Sequence, residues 1–293
     1  MMINQLNYFK QVVNTLRMGL TPFTVANCVT VGSPVRFQSR HFGPFVSNSQ
    51  LRRLYSIKSL LQPHNQTRLV MQNEIQNKPR ILGLHGFRTS ALIFKNLIAR
   101  WPDTVLKKLD IQFLDGPFPA QGKSEVEGFF DPPYYEWYQA NQDFTEYRNF
   151  DECVAYIEEY MINHGPFDGL LGFSQGAMIS ASVPGMQAQG VAFTRIPKIK
   201  FLIMISGAKF GGYKFGQPKL GANAFSSPID CPSLHILGEK DFLKPGGIDL
   251  LKSFVNPVVI HHPKGHIIPR LDDISQNTML SFIEQIQKMP SHD

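Results

Sequence analysis

In a chain of 293 residues, the segment best suited to chemistry is Gly172-Phe173-Ser174-Gln175-Gly176. It follows the apolar run 169–173 and opens a helical pattern at 175–182. A serine between two glycines at a strand-turn-helix junction is a nucleophile elbow. The turn is sharp, and side chains at the glycine positions would strike the neighbouring strand and helix. The chemistry would be attack of Ser174 on an acyl carbon. A serine hydroxyl is a weak nucleophile near neutral pH and needs a base.

The base must be one of nine histidines. His41 and His64 lie in the N-terminal segment and His292 in the tail. His164 sits at a helix end, and His235 falls inside a strand pattern and reads as a core residue. His266, in Lys264-Gly265-His266, follows the last strand in a loop, where an elbow fold needs its base; His262 is the second choice. An acid should lie between serine and histidine in chain order. Asp241 lies in the loop at the carboxyl end of the strand 234–237, and Glu239 is the alternative. Its role would be to hold the imidazole tautomer and stabilise the imidazolium as it forms. The oxyanion donors expected are the backbone N–H of Gln175 and that of Phe87. Phe87 lies in the loop 84–89, where Gly86 allows close approach. His85 beside it reads as structural.

These residues need a frame that brings them to one place. Apolar runs at 81–84, 111–114, 169–173, 201–205, 234–237 and 258–261 read as strands. Helical patterns at 91–100, 150–163, 175–182 and 274–288 separate several of them. The expectation is an α/β fold with a mostly parallel sheet and helices on both faces. Working residues would then gather at the carboxyl ends of the strands. Residues 116–150 break the alternation with a long, aromatic-rich insertion that includes Phe118, Phe129, Phe130, Trp137, Tyr138 and Phe144. It reads as a cap walling an apolar pocket.

The net charge of +6 is uneven. Residues 1–70 hold eight Lys or Arg and no Asp or Glu, leaving 21 basic against all 23 acidic residues in the remainder. The basic excess therefore does not point to nucleic acid. Residues 1–70 read as a largely disordered targeting leader before a hydrolase domain at 71–293. Ile3, Leu6, Val13, Leu16 and Leu20 give an amphipathic cationic pattern, and Arg53-Leu54-Tyr55-Ser56 resembles a processing site. Mitochondrial import is the favoured address, with the chloroplast as a second organelle and the cytoplasm if translation starts at Met71. No apolar run is long enough to span a membrane. Cys28, Cys153 and Cys231 are too scattered for a disulfide framework or a zinc site, and no phosphate loop or dinucleotide fingerprint is present.

The residues from about Pro79 to Ile283 resemble the FSH family of serine hydrolases. The resemblance is carried by residues 80–88 (Arg-Ile-Leu-Gly-Leu-His-Gly-Phe-Arg), Leu114-Asp115-Gly116-Pro117, Tyr135-Glu136-Trp137, the elbow, residues 238–241 and Gly265-His266. It implies an α/β-hydrolase fold, a Ser174–Asp241–His266 triad, hydrolysis of carboxylic esters with apolar chains, a small-molecule substrate and no cofactor. Lys264 departs from the pattern, where many relatives carry glycine. Acyl-protein thioesterases share the Gly-Phe-Ser-Gln-Gly elbow, but residues 87–89 and the insertion fit the FSH pattern better. Thioester cleavage and a non-catalytic hydrophobic-ligand pocket stay open as alternatives.

Overall fold

Six apolar segments pair side by side in a computed structural model that describes residues 78–290. They are β1 (Arg80–Leu84), β2 (Asp110–Leu114), β7 (Gly169–Phe173), β8 (Phe201–Ile205), β9 (Ser233–Gly238) and β10 (Val258–His262). Their order in the sheet is β10-β9-β8-β7-β1-β2, and every pairing is parallel. Strands buried on both faces need apolar residues throughout, which is why the sequence shows runs rather than alternation.

The alternation reappears in where the side chains go. Leu82, Leu84, Leu170, Leu202 and Met204 enter one core, with α3 (Phe150–His164) and α4 (Gln175–Ala188). Ile81, Leu171, Ile203, Ile205, Leu234 and Ile236 enter the other, with α1 (Ala91–Ile98), Val105 of α2 (Asp103–Leu106) and α6 (Asp273–Gln287). A further short helix, α5 (Lys244–Leu251), adds Leu250 to the first core. The leader reading falls on residues outside those described.

Two details differ from expectation. The helix after the elbow does not stop before Pro184 but runs through it to Ala188. Proline removes one backbone bond and disfavours this. Burial on every side of α4 outweighs that cost: Ala177, Ile179, Ala181 and Val183 are fully buried. The insertion also has short strands of its own. β3 (Phe118–Pro119) pairs with β4 (Tyr135–Glu136), and β5 (Gln139–Ala140) with β6 (Tyr147–Arg148), both antiparallel. Its Trp137 and Tyr138 are core residues, while Phe129 and Phe144 face solvent.

Candidate active site

Ser174 sits between β7 and α4 with φ 52° and ψ −113°, a conformation that side chains rarely adopt. The elbow holds it there by close packing. A methyl group at Gly172 would meet the Ala177 backbone at 2.5 Å, and one at Gly176 would collide with the Leu84 carbonyl. The Ser174 N–H donates to the Ile205 carbonyl at 3.0 Å, tying the turn to the next strand.

Asp241 follows β9 and His266 follows β10. The two loops are fastened together: the Glu239 N–H donates to the His262 carbonyl at 2.8 Å, and that of Lys240 to the Lys264 carbonyl at 3.0 Å. At Gly238 a methyl group would stand 2.5 Å from the Gly265 carbonyl oxygen, so glycine permits this closeness. His266 Nδ1 lies 3.0 Å from both Asp241 carboxylate oxygens, and Nε2 lies 2.8 Å from Ser174 Oγ. A carboxylate can only accept, so Nδ1–H donates to Asp241. Nε2 is then left to accept the Ser174 hydroxyl proton. Burial opposes ionisation of Asp241. The hydrogen bond and charge of His266 outweigh it, helped by the Leu243 N–H, and hold the carboxyl below the usual aspartate range. The runners-up lie elsewhere: Glu239 pairs with His261 at 2.9 Å and with Lys244, and His262 accepts the Lys264 N–H.

The loop after β1 runs beside Ser174. A methyl group at Gly86 would lie 3.6 Å from Ser174 Cβ. Gln175 is the first residue of α4, so its N–H has no acceptor within the helix. The Gln175 side chain is anchored as well. Its Oε1 accepts the Trp137 N–H at 3.2 Å, and its Nε2 donates to the Tyr138 carbonyl at 2.9 Å.

His85 is fully buried, and burial lowers its pKa to about 4 despite the Gly86 hydrogen bond and Asp115. Its Nε2 accepts the Gly116 N–H at 2.9 Å, which places the proton on Nδ1, 2.7 Å from the Gly86 carbonyl. Asp115, just before Gly116, accepts the Ala91 N–H at 2.7 Å and so caps α1.

A family model described as serine hydrolase (FSH1) matches residues 71–278. The chain belongs to this family of serine hydrolases. Esterase OVCA2 of Mus musculus is 30% identical over 225 residues, covering 70% of this chain and 96% of its own. An esterase of Anopheles gambiae is 29% identical over 224 residues, 73% of this chain and 80% of its own. Among solved structures, a carboxylesterase from Mesorhizobium loti covers 71% of this chain and 88% of its own at 13% identity and a TM-score of 0.48. The chain is a serine hydrolase built on a parallel sheet with a packed core on each face.

Phe173, Phe242 and Ser206 also border the site, in places that the residue pattern does not single out. Phe173 and Phe242 set their rings 5.1 and 4.6 Å from the imidazole of His266. Ser206, with φ 52°, follows β8 beside Asp241. The strand-end rule that located Asp241 and His266 applies equally to Ser206, and Phe242 directly follows the acid.

Proposed function

We propose that this esterase works through Ser174, His266 and Asp241, with the N–H groups of Phe87 and Gln175 as oxyanion donors. The observation that carries the reading is one imidazole bridging a strained serine hydroxyl at 2.8 Å and a buried carboxylate at 3.0 Å. Ser174 Oγ bonds to the ester carbonyl carbon as its proton passes to His266 Nε2. The carbonyl π pair moves to oxygen, where the two backbone N–H groups hold it. The adduct collapses by breaking the bond to the alkoxy oxygen, which takes the proton from His266 and leaves as the alcohol. Water then repeats the sequence on the acyl-serine, and the carboxylic acid departs. Asp241 keeps the imidazole in the required tautomer throughout and stabilises its protonated form.

Apolar acyl or alkyl chains are the proposed substrates. The support is Phe87, 44% exposed within the oxyanion loop, and Phe242, 49% exposed against His266, with Phe129 of the insertion also open to solvent. A series of p-nitrophenyl esters from acetate to dodecanoate should show kcat/KM rising with chain length, and Ser174→Ala should lose all of it. A flat or falling series removes the apolar preference. Turnover that survives Ser174→Ala removes the mechanism.

Residues 1–70 are proposed as a mitochondrial targeting leader, supported by eight basic and no acidic residues. A fluorescent reporter fused to these residues should collect in mitochondria. Diffuse cytosolic fluorescence would overturn this.

A further inference from the structure

The Gly86–Phe87 peptide is held by its carbonyl. The Thr89 hydroxyl donates to the Gly86 oxygen at 2.8 Å, and His85 Nδ1 donates to the same oxygen at 2.7 Å. A trans peptide is planar, so its C=O and N–H point in opposite directions. Two donors that fix the Gly86 carbonyl therefore also fix the Phe87 N–H.

The donors are in turn set by the insertion. The Gly116 N–H decides which His85 nitrogen carries the proton. The Tyr135 N–H donates to the Thr89 carbonyl at 2.7 Å. Between them lies Arg88, at φ 52°, whose Nε meets Glu136 Oε1 at 2.7 Å. The Glu136 side chain is 1% exposed, and its carboxylate also accepts the Gln121 N–H at 3.1 Å and Gln139 Nε2 at 3.0 Å. The remaining Arg88 nitrogens reach the carbonyls of Lys123 and Gln121, and Ser124 donates to the Arg88 carbonyl at 2.6 Å. A buried carboxylate with three donors and a guanidinium with three acceptors leave this loop little freedom to rotate.

We infer that Thr89 and the Arg88–Glu136 pair are positioning residues that aim the Phe87 N–H at the transition-state oxyanion, so that the insertion serves as the brace of the oxyanion loop. The inference rests on the proposed mechanism and adds to it the origin of the donor's direction. If either donor to Gly86 is lost, the peptide can rotate. Ground-state binding would then persist while the negatively charged adduct loses a partner.

The test uses the full-length chain and an octyl trifluoromethyl ketone, which adds Ser174 Oγ to its carbonyl carbon and places a negative oxygen in the donor site. Thr89→Val keeps the shape and removes one donor. It should lower kcat about tenfold, leave KM within about twofold, and weaken ketone inhibition in proportion to kcat/KM. Thr89→Ser should restore all three. Glu136→Gln should move the same quantities in the same direction. If it fails to fold, Thr89→Val still decides, because its melting temperature can be matched to wild type. A Thr89→Val enzyme with unchanged kcat and ketone affinity overturns the inference while leaving the mechanism in place. Failure of the mechanism shows separately, as ester turnover in Ser174→Ala.

Discussion

At the scale of single residues, the site depends on which atom of His266 carries a proton. Asp241 fixes that choice through Nδ1, and Asp241→Asn would present an amide able to favour the opposite tautomer. A loss of kcat on the order of 10⁴ with KM little changed is expected from ester kinetics. An Asp241→Asn enzyme within tenfold of wild type would mean that the carboxylate is not used. Phe242 touches the other side of the problem. It is half exposed, so Phe242→Ala should cost little stability, yet it removes a ring 4.6 Å from the His266 imidazole. A several-fold loss of kcat/KM, largest for long-chain esters, is the expected outcome. The types and chain order of Ser174, Asp241 and His266 could be read from the sequence because each follows a strand in one sheet. The second contacts could not. That His85 is neutral, with its proton on Nδ1, depends on a Gly116 N–H contributed by the next connection.

At the scale of elements, the elbow shows why glycine is required twice. A methyl group at Gly176 would strike the carbonyls of both Leu84 and His85, which belong to β1 and to the loop that follows it. Neither is a flexible side chain that could yield. Gly176→Ala should therefore destabilise the protein by about 1–3 kcal/mol or more, and displace the donor loop with it. Urea unfolding with a midpoint equal to wild type would contradict the close packing. The strands could be read in the sequence because burial on both faces demands uninterrupted apolar runs. The insertion stands out in the sequence as a break in the alternation, and its own partners do not. Its aromatics suggested a cap, but Trp137 sits in the core, with its indole N–H on the His85 carbonyl at 2.8 Å. Such long-range partners leave no periodic trace. The same holds for α4, whose passage through Pro184 reflects burial that local propensity does not encode.

At the scale of the whole molecule, the two most deeply buried histidines make stability sensitive to acid. Burial lowers His235 to about 3 and His85 to about 4, against 6.5 when unfolded. Both folded values are depressed, so the unfolded chain binds more protons below pH 6.5. The stability is complete above that pH and is lost as pH falls toward 4, by about 1.4 kcal/mol per unit for each histidine. The lowered Asp241 adds to the loss at still lower pH. Urea midpoints at pH 7.5, 6.5, 5.5 and 4.5 should stay level and then drop, and His235→Asn should reduce the slope below pH 6.5. A flat profile would mean that these imidazoles take up protons in the folded protein. In the proposed mechanism one serine, served by one histidine, performs the chemistry. The most direct measurement is peptide mapping after reaction of the full chain with a fluorophosphonate probe. A single adduct on Ser174, at least a thousandfold slower to form in His266→Ala, is the predicted result. An adduct on another residue, or undiminished labelling without the imidazole, would contradict it.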